Sequence, residues 1–464
     1  MATEHASAEP QAVDLLVSGA DILTFDTSGT VVRDGAIAVS GSTISWVGPA
    51  TEAARRFRPR ERIDASGRIL MPGLIDAHFH TAQQFLRGKL QEMARRQKLR
   101  MPPWKNYYVP FEGTLTPDDV YYSGLAAYAA MISVGTTCFL EAGGPHADDM
   151  GRAADEIGIR GCIALSTMDH DDTLPASMRQ TTDQALKANE GLVLRWRNHP
   201  RVQGWLALRQ IIVTTETLQK EMSALAASLD TRIHTHLAEG TYEVDYALAH
   251  WGCRPAERLA EIGVFNERLH TAHAILLSPE EMDLYERHDV SACHCASNNY
   301  GIGHPRMLEM HRRGIRIGMG TDGAASWGPL DMFQMAHAAR IGQQLVFGTP
   351  VHFRGIVGTE ELLTAVINGG ARAAGLTRQI GSLESGKRAD FVLVATDELD
   401  QFPVYDPVTT AGDTVVGRDV RTVVIDGRVV MKEREILTVD VEAMQARIKA
   451  QHGSLMERFE AAVA

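Results

Sequence analysis

Apolar and polar positions alternate over short runs at both ends of the chain and group into longer, helix-spaced blocks between them. From Val13 to about Met71 the runs are brief, as in Asp14-Leu-Leu-Val-Ser-Gly and Gly35-Ala-Ile-Ala-Val-Ser, each closed by turn residues. Period-two alternation punctuated by Gly, Asp and Ser predicts small all-β structure. The style returns in Ala389-Asp-Phe-Val-Leu-Val-Ala and Thr422-Val-Val-Ile-Asp-Gly-Arg-Val-Val, after the turn-rich Gly381-Ser-Leu-Glu-Ser-Gly-Lys. Two β-rich ends around an unlike centre can pair in space, because chain termini often lie close together. From about Val439 onward the pattern predicts a terminal surface helix.

Between these ends, apolar runs alternate with helical segments. Eight runs read as strands: Leu70–Ala77, Thr136–Leu140, Gly161–Leu165, Gly204–Leu208, Arg232–His236, Leu269–Ala274, Val290–Cys295 and Arg316–Gly320. Each is followed by helix-compatible sequence, the pattern of an α/β protein with a (β/α)8 TIM barrel. The expected organisation is residues 1–71 as the N-terminal part of a β-sandwich, 72–376 as the barrel, and 377–464 as the rest of the sandwich plus the helix. A doubly wound sheet is the rival, but no Gly-rich phosphate loop follows the first strand, and no repeat of 20–50 residues is visible.

The chain's 464 residues, 44% hydrophobic and 22% charged, can bury a large core. With 58 acidic against 46 basic residues the net charge is −12, and no Lys/Arg-dense tract offers a footprint for nucleic acid. Five scattered cysteines fit reduced thiols in a cytoplasmic protein better than a disulfide framework. The polar stretch Met1 to Gln11 lacks the apolar core of a secretion signal, and no run of 18 apolar residues predicts a membrane span.

Chemistry concentrates at the ends of the predicted strands. In Asp76-Ala-His78-Phe-His80, residues i and i+2 of a strand face one side, as two ligands of one metal must; alone, the pair also suits two hydrogen-bonded core histidines. Strand five ends Ile233-His234-Thr-His236-Leu-Ala-Glu239. His236 is nearer the end where barrel chemistry sits, His234 suits the core behind it, and Glu239 suits a general base beside the metal. Strand six supplies His270 and His273, and strand eight runs into Asp322. A His/His/His/Asp set from separate strands suits zinc or ferrous iron.

Together, Met71-Pro-Gly-Leu-Ile-Asp-Ala-His-Phe-His, His236-Leu-Ala-Glu, Ala272-His273 and Gly320-Thr-Asp-Gly-Ala-Ala-Ser resemble the amidohydrolase superfamily, within it the cytosine, guanine and adenosylhomocysteine deaminases and the triazine hydrolases. The resemblance implies one divalent metal, zinc or else iron, held by His78, His80, His236 and Asp322. Glu239 would move the proton, His273 would hold the attacking water or polarise the substrate, and Asp322 would also accept a proton. Strand four, Gly204-Trp-Leu-Ala-Leu-Arg209-Gln, lacks the lysine of binuclear relatives, which favours a single ion. The implied activity is hydrolytic deamination of an aminated purine, pterin, pyrimidine or triazine-like ring. The alternatives are hydrolysis of a ureido or amide bond, ring dechlorination, or a non-catalytic scaffold. The resemblance also implies a homo-oligomer with a small-molecule substrate.

Gln83 and Arg209 resemble the pair that grips the purine in guanine deaminases, although Arg209 equally suits an ion pair between strands. Ser297-Asn298 keeps part of the family's strand-seven motif, which makes Asn298 a candidate substrate contact, but the usual proline and lysine are missing, so the leaving-group pocket is expected to differ. The stretch Leu86 to Asp118, with Trp104, Tyr107, Tyr108 and Phe111, is too long for a bare βα connection. It reads as an aromatic lid with Trp104 on the substrate, or as a packed helical insertion. Trp327 is a further candidate for the pocket wall.

Overall fold

A computed structural model describes residues 9–326, 328–348 and 355–464. Trp327 lies outside the described residues. Eight parallel strands run in sequential order: Leu74–Phe79, Thr136–Glu141, Arg160–Ala164, Val202–Gln210, Ile233–Leu237, Leu269–His273, Ser291–His294 and Ile317–Met319. Helices separate them along the chain, and the last strand returns beside the first, giving the (β/α)8 barrel. Almost every residue of these strands is buried, as expected for a parallel sheet covered by helices.

A second, mixed sheet of nine strands takes five from the N-terminal region, Gln11–Leu23 through Arg68–Pro72, and four from the C-terminal region, Phe391–Ala395 through Glu435–Ile436. The join is an antiparallel pairing of Arg68–Pro72 with Phe391–Ala395. One expected strand, Leu70–Ala77, proves to be two. Its first half belongs to the mixed sheet, and after Gly73 the chain turns into the barrel. At Gly73 a Cβ would lie 2.0 Å from the Thr137 hydroxyl oxygen, so only glycine lets the chain pass there.

The two sheets are tied by a buried ionic cluster. Arg160, at the start of barrel strand three, places Nε 2.6 Å from Asp390 and Nη2 3.0 Å from Asp426, both on the mixed-sheet side. The C-terminal helix Val441–Val463 packs Phe459 edge-on against Phe111, with ring centroids 5.5 Å apart. Among the described residues no helix is long and apolar enough to cross a membrane, and the five cysteines are free thiols.

Candidate active site

The carboxyl ends of strands one, four, five, six, seven and eight meet around a cavity of about 570 Å³, within the usual range for small-molecule sites. His80, His236, His273 and Asp322 reach it, with Glu239 on its wall. His78 stands one layer deeper and is fully buried. The backbone bends sharply here. Ala238, His273, Ala274 and Asp322 all adopt positive φ, between 47° and 73°, and such strain in non-glycine residues clusters at functional sites. At Gly320 a Cβ would lie 2.7 Å from the His78 backbone nitrogen, so strand eight can close on strand one only with glycine there.

Hydrogen bonding decides which ring nitrogens are bare. His234 Nδ1 lies 2.9 Å from the Glu141 carbonyl, which can only accept, so the proton sits on Nδ1 and His234 Nε2 is a lone pair. That lone pair accepts from His78 Nδ1 at 2.9 Å. His78 therefore presents an unprotonated Nε2, and it faces Asp322 Oδ1 at 3.1 Å. By the same logic His236 donates from Nδ1 to the Arg209 carbonyl at 2.8 Å and turns a bare Nε2 towards His80 Nε2, 3.2 Å away. Burial, reinforced by neighbouring imidazoles and by Arg209, holds His78, His80 and His236 well below the usual histidine pKa, so extra protons do not relieve these contacts.

A lone pair aimed at a carboxylate, as His78 Nε2 is at Asp322 Oδ1, is repulsive unless a cation lies between them. His78, His80 and Asp322 offer ligand atoms all within 4.8 Å of one another, as do His78, His236 and His273. Asp322 Oδ2 is already used, accepting from Ser326 Oγ at 2.6 Å and from Asn298 Nδ2 at 2.9 Å, which leaves Oδ1 for the centre. Three imidazole nitrogens and one carboxylate oxygen are a donor set suited to a divalent transition metal.

Other groups orient this set. Asp76, whose burial outweighs its hydrogen bonds to Thr321 and His78 and lifts its pKa to about 7, anchors the loop carrying Asp322. His273 meets the Asn299 amide oxygen through Nδ1 at 3.1 Å. Burial opposes a charge on His273, but Glu239, the Cys295 thiol and Asp322 outweigh it and bring the ring up to about 10. His270 is used on both nitrogens, by Ser291 Oγ at 2.9 Å and the Ala77 carbonyl at 2.8 Å, and belongs to the core. Glu239 accepts through Oε2 from the Tyr242 hydroxyl at 2.7 Å, and its backbone N–H donates to buried Glu243.

The expected substrate contacts divide. Trp104, Arg209 and Asn298 line the cavity. Gln83 does not: it is fully buried behind Arg209 and donates its amide to Glu112 at 2.6 Å. Arg209 combines both of its expected roles, facing the cavity while pairing with Glu112. The stretch 86–118 likewise divides, with Trp104 and Tyr108 at the cavity and Tyr107 and Phe111 in the core. Glu112, Gln210, Tyr242, Asn299 and Ser326 were missed by the sequence reading. Tyr242 and Ser326 follow Glu239 and Asp322 by three and four residues, a spacing that could have flagged them; Glu112 carried no comparable signal.

The amidohydrolase family model matches residues 69–430. A 5-methylthioadenosine/S-adenosylhomocysteine deaminase from Acetivibrio thermocellus is 29% identical over 442 residues, covering 94% of this chain and 98% of that protein. A protein named 5-methylthioadenosine/S-adenosylhomocysteine deaminase 1 from Syntrophus aciditrophicus is 30% identical over 440 residues, covering 94% and 96%. The crystal structure of an adenosine deaminase from Xanthomonas campestris with bound zinc superposes with a TM-score of 0.89 at 28% identity, covering 97% of this chain and 100% of that one.

Proposed function

The chain belongs to the amidohydrolase family, and from that premise we propose that it is a zinc-dependent hydrolytic deaminase of an aminated purine or purine nucleoside. One observation supports the reading: His78 belongs to two overlapping groups of potential ligands, with His80 and Asp322 and with His236 and His273, beside a cavity walled by Glu239. Three nitrogens and one oxygen suit zinc, and the adenosine deaminase of the same fold carries that ion.

A divalent ion held by His78, His80, His236 and Asp322 would make hydroxide available near neutral pH and draw electrons from the ring under attack. The chain's own groups then manage protons and position. Glu239 takes a proton from the attacking water and delivers it to the departing amino nitrogen, so that an exocyclic C–N bond breaks, a C–O bond forms and ammonia leaves. His273, which also lines the cavity, hydrogen-bonds the incoming oxygen. Trp104 and Arg209, in contact with the guanidinium 5.9 Å from the indole centroid, together form a wall for the flat ring. Free and mostly buried thiols support a reducing, cytoplasmic setting.

The test is ammonia release by zinc-loaded protein offered 5′-methylthioadenosine, S-adenosylhomocysteine, adenosine, guanine, cytosine, a pterin and an aminotriazine, with Glu239→Gln as control. Release from a purine, abolished in the control, is the expected result. Release of chloride from a chlorotriazine or of an amine from a ureide, with every aminated ring inert, would instead select the hydrolase or dechlorinase reading.

A further inference from the structure

The Tyr242 hydroxyl is the junction of three side chains from three parts of the chain. It lies 2.9 Å from Trp104 Nε1, 2.8 Å from Gln210 Nε2 and 2.7 Å from Glu239 Oε2. A phenol has one proton and two lone pairs, whereas an indole nitrogen can only donate. The Gln210 amide nitrogen also lies 3.4 Å from Glu239 Oε2, so its NH₂ end faces two oxygens that need a donor. Both lone pairs of Tyr242 are thus filled, and its single proton has one destination, the Glu239 carboxylate. Among the described residues no hydrogen bond is made to Glu239 Oε1, the oxygen left to exchange a proton at the cavity.

We propose that Tyr242 is a positioning residue for Glu239, and that Trp104 and Gln210 direct its proton, so that seating of the Trp104 segment and readiness of the proton-moving carboxylate are one event. Trp104 is well placed for this. It is nearly buried among Met168, Leu174 and Val213, and it also lies against the Arg209 guanidinium. The segment after strand one therefore touches both the group that holds the ring and, through one phenol, the group that moves the proton. Tyr242 shares no bond with His78, His80, His236 or Asp322, so the relay is separate from the cation's ligands.

The inference rests on Glu239 moving the proton, and two measurements on the zinc-loaded full chain separate its failure from failure of that reading. The first needs no substrate. The six tryptophans are labelled with ¹⁵N, and the Trp104 indole N–H is identified by its loss in Trp104→Phe. Its resonance should move in Tyr242→Phe and also in Glu239→Ala, which removes the destination of the phenol proton, while the other indoles stay in place. A Trp104 resonance unmoved by Glu239→Ala overturns the relay whether or not a substrate is found.

The second measurement is kinetic. Tyr242→Phe should lower kcat by about 10–100-fold, the scale of a misplaced catalytic group, with KM within about twofold and zinc content and thermal midpoint unchanged. Trp104→Phe, which also touches the ring, should change KM and lower kcat less, and in kcat the double variant should be no worse than Tyr242→Phe alone, because both changes reach Glu239 through one proton. Independent, multiplying effects, or a change confined to KM, overturn the proposal. Absence of ammonia release from every aminated ring by the unaltered protein defeats the functional reading, while the indole measurement still decides the relay.

Discussion

Arg209 holds both carboxylate oxygens of Glu112 at 3.1 Å from one guanidinium nitrogen, with neither side chain more than 2% exposed. The pair lies beside His78, His80 and His236, which burial keeps neutral, and Glu112 offsets the fixed positive charge of Arg209. Removing a single member of a buried ion pair strands the other, which typically costs about 3–5 kcal/mol. Glu112→Ala should therefore lose about that much in urea unfolding. The Glu112→Ala/Arg209→Met double variant should lose clearly less, because no charge is then left unpaired.

The bare Nε2 of His78 facing Asp322 predicts that an ion bound there would also be a structural element. Stripping it with a chelator should lower the thermal midpoint, and adding zinc back should restore it. A ligand present at about 1,000 times its Kd stabilises by roughly 4 kcal/mol. Elemental analysis should return about one ion per chain, and Asp322→Asn or His236→Ala should reduce it sharply. Retention of the full midpoint after complete removal would contradict the donor set described above.

Glu243 supplies a pH test. Burial lifts its pKa to about 8, partly offset by the backbone N–H groups of Glu239 and Ala238 and aided by the charges of Glu239 and Glu281; a free glutamate titrates near about 4.3. Its folded pKa is the higher of the two, so the folded state binds the extra proton. The resulting stability is complete below about pH 4 and is lost as pH rises through about 8. Glu243→Gln keeps the acceptor for the Glu239 N–H and removes the titration. The urea midpoint of the unaltered chain should accordingly fall more steeply between pH 5 and 8.5 than that of the variant.

The joint between the two sheets is open to the same kind of test. Arg160 neutralises buried Asp390 and also pairs with Asp426 at the edge of the joint. Arg160→Leu leaves buried Asp390 without its cation, while Asp426 keeps Arg388 at 3.3 Å, and should cost about 3–5 kcal/mol. Arg68→Ala removes a partly exposed pair with Glu433 and should cost under about 1 kcal/mol. Chemical unfolding of the two variants side by side checks the contrast.

The barrel and the placing of His78, His80, His236 and Asp322 at or just past the carboxyl ends of its strands could be read from the chain itself, because they depend on local periodicity. Strand residues two apart share a face, and barrel side chains at carboxyl ends face one mouth. Tertiary structure alone decided the rest. Glu112 reaches Arg209 from 97 residues away and turns Gln83 from a cavity contact into a buried support. The proton of Tyr242 finds its direction only once Trp104 and Gln210 fill its lone pairs. The division of one apolar run at Gly73 depends on how closely Thr137 packs. Pairings of this kind follow from the closure of distant loops over one cavity, and a linear pattern of polar and apolar residues carries no term for distance in space.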